Sequence, residues 1–396
     1  MNEDILSADV QCFIRSSVAE KSLAEGLFKS PFNGVSPQEL ATQIKGYVRS
    51  REKMPRLAAL QGIVYPAGVS VEQCSSEATA DYKASLLPQG GVCADITGGF
   101  GIDTMALARR YERVDYFEVN EGLAETAAHN FRVAGFSNIS VCCADGLTGV
   151  ASGGKEYDCI YADPARRDAR ASRVYSVADC TPDISALKGA LLQKARFLLV
   201  KLSPMLDIRA TLKLFPETAQ VHVVALRNEV KELLFLLERD FSGQVEVSAA
   251  DLGKDGVADV FSAPPARMNA PAAVSPMKRY VYDPSAALRK AGLAEAYCAE
   301  RGLEKLHPNT SLYTSDELAA DFRGRVFRVA GPVDARSLKA ELPDRRAAVI
   351  ARNFPASAAD LAKKFKLKDS ATVFLIAFRN SEDKNAMILA EKVNFS

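Results

Sequence analysis

The stretch VCADITGGFGID, residues 92–103, decides the fold of this chain. It is typical of an apolar strand that ends in an acidic residue, Asp95, and continues into a glycine-rich turn and a helix. Three later strands end in the same way: Glu118 closes VDYFEV, Asp145 closes ISVCCAD and Asp163 closes YDCIYAD. Packing gives no reason for acidic residues at successive strand ends, whereas the carboxyl ends of an open parallel sheet form its ligand-binding edge. The sequence therefore predicts an α/β fold with a binding site along that edge.

The glycines of this turn have a physical role in the prediction. Gly98, Gly99 and Gly101 allow the backbone to turn sharply and to approach a ligand without a Cβ in the way. Their spacing, G-G-x-G, is not the G-x-G-x-x-G of dinucleotide-binding folds, and the turn carries Asp95 and Thr97 instead. A glycine-rich turn alone is equally compatible with a tight connection from strand to helix. The acidic strand ends favour a binding loop.

The order of these motifs over residues 57–239 resembles that of the class I S-adenosylmethionine-dependent methyltransferases. The resemblance implies S-adenosylmethionine as cofactor and a Rossmann-like sheet of seven strands with the last strand antiparallel. Thr97 stands where this family usually has its first glycine, as in relatives with D-x-T-G-G. The residues that the resemblance places at the cofactor are Asp95, Thr97, Gly98, Gly99, Gly101, Asp103, Glu118, Val119, Asp145, Gly146 and Asp163.

The resemblance also implies which part of the cofactor each residue holds. The loop that starts at Asp95 would hold the methionine part. Glu118 would accept hydrogen bonds from both ribose hydroxyls, and Asp145 would accept one from the adenine amine. Two simpler interpretations remain open: Glu118 as a solvated residue at a strand end, and Asp145 as the start of an ordinary Asp-Gly turn.

Residues 163–168, DPARRD, resemble the D-P-P-(Y/F/W/R) motif of enzymes that methylate nucleobases, with Ala165 in place of the second proline. The exocyclic amine of a base is a poor nucleophile. The resemblance implies that the Asp163 carboxylate and the Pro164 carbonyl accept its two hydrogens and concentrate the lone pair on nitrogen. Because methyl transfer is in line, such positioning supplies much of the rate.

Two arginines follow in this motif. Arg166 stands where an aromatic residue would stack on a base in many relatives. Arg166 and Arg167 either grip phosphate or form structural ion pairs with Asp163 and Asp168. The residues predicted to take part in catalysis are Asp163, Pro164 and Arg166.

Composition excludes several classes of protein. Of 396 residues, 48% are hydrophobic and 25% charged, as in a soluble globular protein of two or three domains. No run of about 18 apolar residues predicts a membrane span, and no signal peptide is expected at the N-terminus. The eight cysteines form no C-x-x-C pair and only three histidines accompany them, so neither a metal site nor a disulfide framework is expected. Reduced thiols indicate the cytoplasm.

Five of the eight cysteines carry a specific prediction. Cys93, Cys142, Cys143 and Cys159 lie within apolar strands and are predicted to be small buried hydrophobic residues. Cys180 is the one candidate nucleophile. Methylases that attack a pyrimidine carbon with a thiolate place that thiolate in sequence contexts that this chain lacks.

The pattern divides the chain into four parts. Residues 1–88 are predicted to be helical, and residues 89–261 to form the methyltransferase domain. Residues 262–277 are rich in proline and alanine and indicate a linker or an extended strap. Residues 278–396 combine strands and helices with a closing hairpin, as in a small α+β domain.

Local signals support these parts. Ser36 and Ser76 each precede a predicted helix, the first with a capping box. Residues 201–204, KLSP, lie at the end of the strand RFLLVKL and either line the substrate cleft or form a plain turn. The segments QVHVVALRN and VKELLFLLE predict a hairpin, and a capped helix is predicted at TSDELAADF, residues 314–322.

Charge is concentrated near the C-terminus. Residues 278–396 contain 21 lysines and arginines against 15 aspartates and glutamates, although the whole chain has a net charge of only +1. Such a concentration in a nearly neutral protein indicates polyanion binding. A solvated helix face is the alternative. The predicted RNA-binding residues, called here the basic patch, are Arg345, Arg346, Arg352, Lys363, Lys364, Lys366 and Lys368.

The C-terminal part carries a second resemblance. Residues 280–284 (YVYDP), together with DPARR and the VKE of residues 230–232, resemble a group of bacterial methyltransferases that end in a THUMP-like domain. THUMP domains bind RNA, typically structured tRNA. The resemblance implies that residues 278–396 form a THUMP-like, ferredoxin-like α+β domain that binds RNA.

These observations together predict a cytoplasmic S-adenosylmethionine-dependent methyltransferase that acts on a base of tRNA or rRNA, with an exocyclic amine favoured. One alternative is a methyltransferase for a small molecule or a protein, with the C-terminal domain serving specificity or dimerisation. Another is a non-catalytic RNA-binding protein that retains the fold. The acidic strand ends argue against this last interpretation, whereas Ala165 is compatible with it.

Overall fold

Two compact units make up the part of the chain that the computed structural model describes, which is residues 1–24, 26, 29–66, 71, 73–152, 154–166, 177–253 and 256–394. The first unit comprises Met1–Val221, Glu232–Gly243 and Leu252–Ala258, and the second comprises His222–Lys231, Gln244–Asp251 and Asp259–Ser396. Each unit is therefore built from three separate segments of the chain. The boundaries expected after residues 88, 261 and 277 stay a prediction.

The N-terminal part of the first unit is helical, as predicted: α1 (Ala8–Ile14), α2 (Ser17–Ala24), α3 (Pro37–Lys53), α4 (Pro55–Ala59) and α5 (Glu77–Ser85). Ser36 caps α3 by accepting a hydrogen bond from the Glu39 N–H, while the Glu39 carboxylate accepts one from the Ser36 N–H. Ser76 and Thr79 form the same reciprocal arrangement at α5. Both boxes satisfy backbone groups that a helix start leaves without partners, and they confirm the predicted helix starts.

The central sheet follows. Its strands and the short strands beside it are β1 (Gly90–Asp95), β2 (Tyr111–Glu118), β3 (Ile139–Cys143), β4 (Tyr157–Ala162), β5 (Ala165–Arg166), β6 (Cys180–Thr181), β7 (Ala195–Leu202), β8 (Thr218–Leu226), β9 (Glu229–Glu238), β10 (Glu246–Leu252) and β11 (Ala258–Ala263). The helices between them are α6 (Ile102–Ala108), α7 (Glu121–Val133), α8 (Gly146–Ser152), α9 (Ile184–Lys194) and α10 (Ile208–Leu214).

The strand order, in the described part of the chain, is β3-β2-β1-β4-β7-β9-β8-β10-β11, and β5 pairs separately with β6. β1, β2, β3, β4 and β7 pair in parallel, whereas β9 is antiparallel to β7. This confirms the predicted sheet with its antiparallel strand, which β10 and β11 extend beyond seven strands. The order reverses between β1 and β4, and such a switch point is where open α/β sheets bind ligands.

Burial follows the position of each strand in the sheet. Cys93 in β1 and Cys159 in β4 are fully buried, as predicted, because these strands are covered on both faces. Cys142 is half-buried and Cys143 is exposed. The prediction of burial is wrong for Cys143, because β3 is the edge strand of the sheet and its C-terminal end is open to solvent.

The C-terminal segment of the second unit contains β12 (Tyr280–Pro284), α11 (Ala286–Lys290), α12 (Ala294–Ala299), β13 (Glu304–His307), β14 (Thr310–Ser315), β15 (Gly324–Pro332), α13 (Leu338–Glu341), β16 (Ala348–Arg352), α14 (Ala358–Phe365), β17 (Val373–Arg379) and β18 (Asn385–Lys392). Within the residues described, its sheet has the order β13-β14-β12-β15-β18-β17-β16. One core cluster is centred on Val281, Phe327, Ile376 and Phe378. The predicted α+β domain and its closing hairpin, β17–β18, are confirmed.

The helix predicted at residues 314–322 is wrong. Thr314 and Ser315 are the last residues of β14, and the following residues form bends and turns. The Tyr282 hydroxyl donates to the Glu317 carbonyl and accepts from the Ala319 N–H, at 3.0 Å each. These tertiary hydrogen bonds use backbone groups that a helix would need for itself, and so they override the local capping signal.

The proline- and alanine-rich segment lies against the second unit's sheet. Ser275 N donates to the Lys305 carbonyl and Lys305 N donates to the Ala273 carbonyl, so that Val274 forms a parallel bridge with Lys305. Residues 273–275 therefore run extended beside β13, and the role of the whole segment 262–277 as linker or strap stays a prediction. None of the helices in the described ranges combines the length and the apolar character that crossing a bilayer requires.

Candidate active site

Four acidic residues stand at the carboxyl ends of adjacent parallel strands. Asp95 ends β1, Glu118 ends β2, Asp145 follows β3 by one residue and Asp163 follows β4 directly. The strand order β3-β2-β1-β4 places all four at one edge of the sheet. The arrangement that the sequence predicted is therefore present, although their contacts differ.

Asp95 is the most buried member, with 1% of its surface exposed. Its carboxylate accepts hydrogen bonds from the Thr104 hydroxyl at 2.7 Å and from the Thr97 N–H at 3.1 Å. Burial raises the pKa of Asp95 to about 7, against the opposing effect of these hydrogen bonds. Asp95 is thus hydrogen-bonded to the start of the glycine-rich loop at Thr97. Its direct contact with a ligand stays a prediction.

The glycines of the loop serve two different purposes. A Cβ on Gly98 would lie 2.5 Å from the Tyr116 ring, and one on Gly101 would lie 2.5 Å from the Phe131 ring. These two glycines are therefore required by internal packing. Gly99 has a φ of +60°, and a Cβ there would meet only the Thr97 carbonyl, at 3.7 Å. Its open side leaves space for a ligand to approach the backbone.

Glu118 is tied to this loop. Its carboxylate accepts hydrogen bonds from the Gly99 N–H at 3.0 Å and from the Asn120 N–H at 2.8 Å, one on each oxygen. A carboxylate has about four acceptor positions, so both oxygens can still accept from a diol. The next residue, Val119, is 70% exposed. An exposed apolar side chain therefore follows a carboxylate that has free acceptor positions, and the contact of Glu118 with a ribose stays a prediction.

Asp145 and Gly146 begin α8. Asp145 is exposed, and its Oδ1 accepts from the N–H and the hydroxyl of Thr148 at 2.8 and 2.9 Å. Gly146 is buried, and a Cβ there would lie 2.4 Å from the Ile96 carbonyl oxygen. The Asp145 carboxylate thus caps a helix while it remains accessible at the sheet edge, and its contact with adenine stays a prediction.

Asp163 is linked both to the loop and to a buried cation. Its N–H donates to the Thr97 hydroxyl at 2.8 Å, which connects the segment after β4 to the glycine-rich loop. Its Oδ2 accepts from Lys201 Nζ at 2.6 Å, and the side chains of Asp163 and Lys201 are 38% and 14% exposed. The Asp163 carboxylate is therefore partly accessible to a ligand, while Lys201 binds one of its two oxygens.

The residues after Asp163 are described only in part. Pro164 is buried and Ala165 exposed. The backbone of Arg166 belongs to β5, which pairs with β6, while its side chain and the whole of Arg167 lie outside the described residues. Both roles predicted for Arg166 and Arg167, contact with substrate or structural ion pairs, therefore stay predictions. Cys180, in β6, is buried, and no catalytic role is assigned to it.

A buried network of charges, which the sequence did not reveal, lies behind Asp163. Lys83 Nζ contacts both carboxylate oxygens of Glu232, at 2.8 and 2.9 Å, the Ser75 hydroxyl at 2.9 Å and Asp103 Oδ1 at 3.1 Å. Asp103 Oδ2 also accepts from the hydroxyls of Ser75 and Tyr161. Asp103, predicted at the cofactor, is thus engaged by three protein side chains.

The network affects the ionisation of its members. Burial raises the pKa of Glu232, although Lys83 and Lys201 oppose it. Burial also disfavours the charged form of Asp103, but Lys83 and Lys201 outweigh this effect and lower its pKa. For Lys201, burial is outweighed by Asp163, Asp103 and Glu232, which raise its pKa. The signals for the missed residues are a lysine among alanines in α5 and a glutamate beginning the apolar run of β9.

The basic patch is divided by the structure. Arg346 and the four lysines are exposed and Arg345 is half-buried. The backbone of Arg346 forms a parallel bridge with the backbone of Lys368. Lys368 follows the lysines of α14 and its C-cap in the sequence. Arg352 lies at the far end of β16, roughly 20 Å along the strand direction, where it contacts Asp283. Within the described residues, no cluster of three or more His, Cys, Asp or Glu side chains has the arrangement of a metal site.

Comparisons with known proteins agree with this architecture. Residues 280–322 match a family model described as a ferredoxin-like domain, and residues 324–392 match one described as THUMP domain-like. An uncharacterized S-adenosylmethionine-dependent methyltransferase of Mycobacterium tuberculosis is 25% identical over 262 residues, which cover 64% of this chain and 67% of that protein. The crystal structure of a candidate methyltransferase from Porphyromonas gingivalis W83 is 30% identical, covers 98% of both chains and has a TM-score of 0.83.

Proposed function

Because this chain belongs to the family of S-adenosylmethionine-dependent methyltransferases that end in a ferredoxin-like and THUMP-like region, we propose that it methylates a base of RNA. The acceptor is the exocyclic amine of a base in tRNA or rRNA. S-adenosylmethionine is the cofactor and, when bound, supplies the methyl group. The observation that carries the proposal is the partly accessible carboxylate of Asp163 beside the glycine-rich loop.

The residues at the sheet edge fit the cofactor. Glu118 keeps acceptor capacity for the two ribose hydroxyls, and the exposed Val119 offers an apolar surface for adenine. Asp145 is accessible for the adenine amine, and the open side of Gly99 allows the methionine part to lie against the loop. Asp95, Thr97, Gly98, Gly101, Asp103 and Gly146 support this cradle through the contacts described above.

Asp163 and Pro164 then orient the acceptor. The Asp163 carboxylate accepts a hydrogen bond from one N–H of the amine, and the Pro164 carbonyl accepts one from the other N–H. The lone pair on nitrogen is thereby directed at the methyl group. Asp163 also accepts the proton that the nitrogen releases after it is methylated, which a carboxylate can do only while it is ionised. Lys201 Nζ, at 2.6 Å from Asp163 Oδ2, holds the carboxylate in place.

Two features of the second unit support RNA as the substrate. THUMP domains bind RNA, and residues 324–392 match a THUMP-like model. Arg346 and the lysines at the end of α14 are exposed and can contact phosphate groups. Residues 361–368 contain no acidic residue that would repel a phosphate. A small molecule would need no such surface.

The test is incorporation of a labelled methyl group from S-adenosylmethionine, with purified tRNA, purified rRNA, total protein and small metabolites offered separately. Labelled RNA that digests to one methylated nucleoside supports the proposal. The same nucleoside should be missing from RNA of a deletion strain, as measured by mass spectrometry. Asp163→Asn should abolish incorporation and leave cofactor affinity nearly unchanged. Label found only in protein or in a small molecule would refute the RNA substrate.

A further inference from the structure

Three arginines converge on one carboxylate in the second unit. The Asp283 side chain is fully buried, and it accepts hydrogen bonds from Arg289 Nη1 at 3.0 Å, from Arg325 Nη2 at 2.5 Å and from Arg352 Nη2 at 3.1 Å. The arginines come from different elements: Arg289 from α11, Arg325 from β15, where it pairs in register with Asp283, and Arg352 from the end of β16. These four residues are called here the arginine cluster.

The cluster carries more positive charge than its carboxylate neutralises. Three guanidinium groups that contact the same carboxylate also repel one another. Asp251 lies near Arg289 and accepts from the Ser285 hydroxyl at 2.5 Å, and counting it still leaves one positive charge in excess. Burial lowers the pKa of Arg289; Asp283 opposes the shift, whereas Arg352 and Arg325 add to it. A purely structural ion pair would need one arginine, so an additional anion would stabilise this arrangement.

The excess charge is accessible. The side chains of Arg289, Arg325 and Arg352 are 25%, 30% and 26% exposed, whereas Asp283 is 0% exposed. Each guanidinium has five N–H donors in a planar fork, more than its bonds to Asp283 use. Arg325 is also held 5.9 Å from the centres of the Phe327 and Phe374 rings. Its orientation is thus set before any ligand arrives.

We propose that the arginine cluster is a phosphate-binding site that takes a phosphodiester group of the RNA substrate. The planar fork of arginine matches the oxygens of a phosphate group, which it binds through two parallel hydrogen bonds. Asp283 serves as the buried anchor that holds the three forks in one place. This inference rests on the proposed function and assigns the RNA a docking point apart from the exposed lysines of the basic patch.

The test uses the full chain with unfractionated tRNA, total rRNA and, separately, inorganic phosphate as probes, and the RNA that binds the wild type more tightly is used for the variants. Arg325→Gln and Arg352→Gln each remove one fork and leave Asp283 with two partners. Arg328→Gln is the matched control, because Arg328 lies on the same strand, is 58% exposed and pairs with Glu391. The readouts are RNA affinity as a function of salt and the rise of Tm with phosphate at constant ionic strength. Affinity for S-adenosylhomocysteine reports on folding.

Each cluster variant should lose about tenfold in RNA affinity and about one unit of salt slope. Each should also lose most of the rise of Tm with phosphate, whereas Arg328→Gln should match the wild type in both measurements. If wild-type protein binds RNA and the folded cluster variants bind it equally well with the same salt slope, the inference is wrong while the proposed function stands. If wild-type protein binds neither tRNA nor rRNA at low salt, the proposed function itself fails.

Discussion

Lys201 Nζ lies 2.6 Å from Asp163 Oδ2, so the carboxylate proposed to orient the acceptor amine is held by a largely buried cation. The pKa of Lys201 is raised, because Asp163, Asp103 and Glu232 outweigh the effect of its burial. Lys201 therefore stays charged throughout the physiological range and holds the Asp163 carboxylate through a charge-assisted hydrogen bond. Lys201 acts through Asp163 and is a positioning residue.

Replacing Lys201 by methionine should separate this role from cofactor binding. We expect Lys201→Met to lower kcat by about 100-fold, because a displaced carboxylate no longer aligns the acceptor. Affinity for S-adenosylmethionine should change by less than about threefold. The control is Lys213→Met, which removes an exposed lysine of α10. Lys201→Arg should restore part of kcat, and a kcat of Lys201→Met equal to that of wild type would exclude the positioning role.

Replacing Glu118 should weaken cofactor binding. Glu118→Ala removes the acceptor of two proposed ribose hydrogen bonds and should weaken S-adenosylmethionine binding by about 2–3 kcal/mol. Isothermal calorimetry of the folded variant measures this change. Glu121→Ala, an exposed glutamate of the first turn of α7, should bind as wild type does. Unchanged affinity in Glu118→Ala would remove Glu118 from the cofactor site.

Much of the fold was accessible from the sequence because its determinants are local and periodic. The apolar runs of β1, β4 and β7, the acidic strand ends and the capping boxes at Ser36 and Ser76 each act within a few residues. The helix predicted at residues 314–322 failed because Tyr282, distant in sequence, takes the backbone groups of Glu317 and Ala319. No local signal contains that competition.

The candidate site was only partly accessible for the same reason. The strand ends marked Asp95, Glu118, Asp145 and Asp163, since strand order alone brings them to one edge. The pairing of Lys83 with Glu232 joins residues 149 positions apart, and nothing in the sequence connects the VKE of residues 230–232 with Lys83. The available signals were a lysine among alanines in α5 and a glutamate at the start of the apolar run of β9.

The buried pair of Lys83 and Glu232 gives a prediction about stability. Their side chains are 2% and 3% exposed, so removing one partner leaves an uncompensated charge. We expect Lys83→Met to lower the free energy of unfolding by about 3–5 kcal/mol. The double variant Lys83→Met/Glu232→Leu should recover a large part of that loss. Urea unfolding of the four proteins forms a double-mutant cycle, and additive losses would contradict a direct coupling.

The pKa of Asp95 predicts how stability depends on pH. Its folded-state pKa is raised to about 7 by burial, above its unfolded value of about 3.9. The folded state therefore binds the Asp95 proton more tightly than the unfolded state does. The stabilisation that results is complete below about pH 4 and is lost as the pH rises through 7.

Asp95→Asn removes this titration. Between pH 5 and 7 the wild type should lose up to about 1.4 kcal/mol of unfolding free energy per pH unit relative to Asp95→Asn. Urea unfolding of both proteins at several pH values measures the difference. Parallel stability curves for the two proteins would mean that Asp95 is ionised at pH 5 in the folded state.

The exposed lysines of the basic patch give the last prediction. Lys363 and Lys364 lie in the last turn of α14 and Lys366 is its C-cap, so all three present their charges at one end of the helix. Glutamine is the suitable replacement, because a negative charge near a helix C-terminus would itself destabilise the helix. The triple variant Lys363→Gln/Lys364→Gln/Lys366→Gln should weaken RNA binding and lower the salt slope by about one unit for each phosphate that these lysines no longer neutralise.

Its effect should be confined to RNA. Cofactor affinity should be that of the wild type, because these lysines belong to the second unit and the cofactor residues to the first. Lys384→Gln, an exposed lysine between β17 and β18 that pairs with Glu382, is the control and should leave the slope unchanged. The arginine cluster stays intact in the triple variant, so residual binding that still depends on Arg352 is expected. If the triple variant keeps the wild-type affinity and slope, these lysines are an ordinary solvated helix face and the RNA is bound elsewhere.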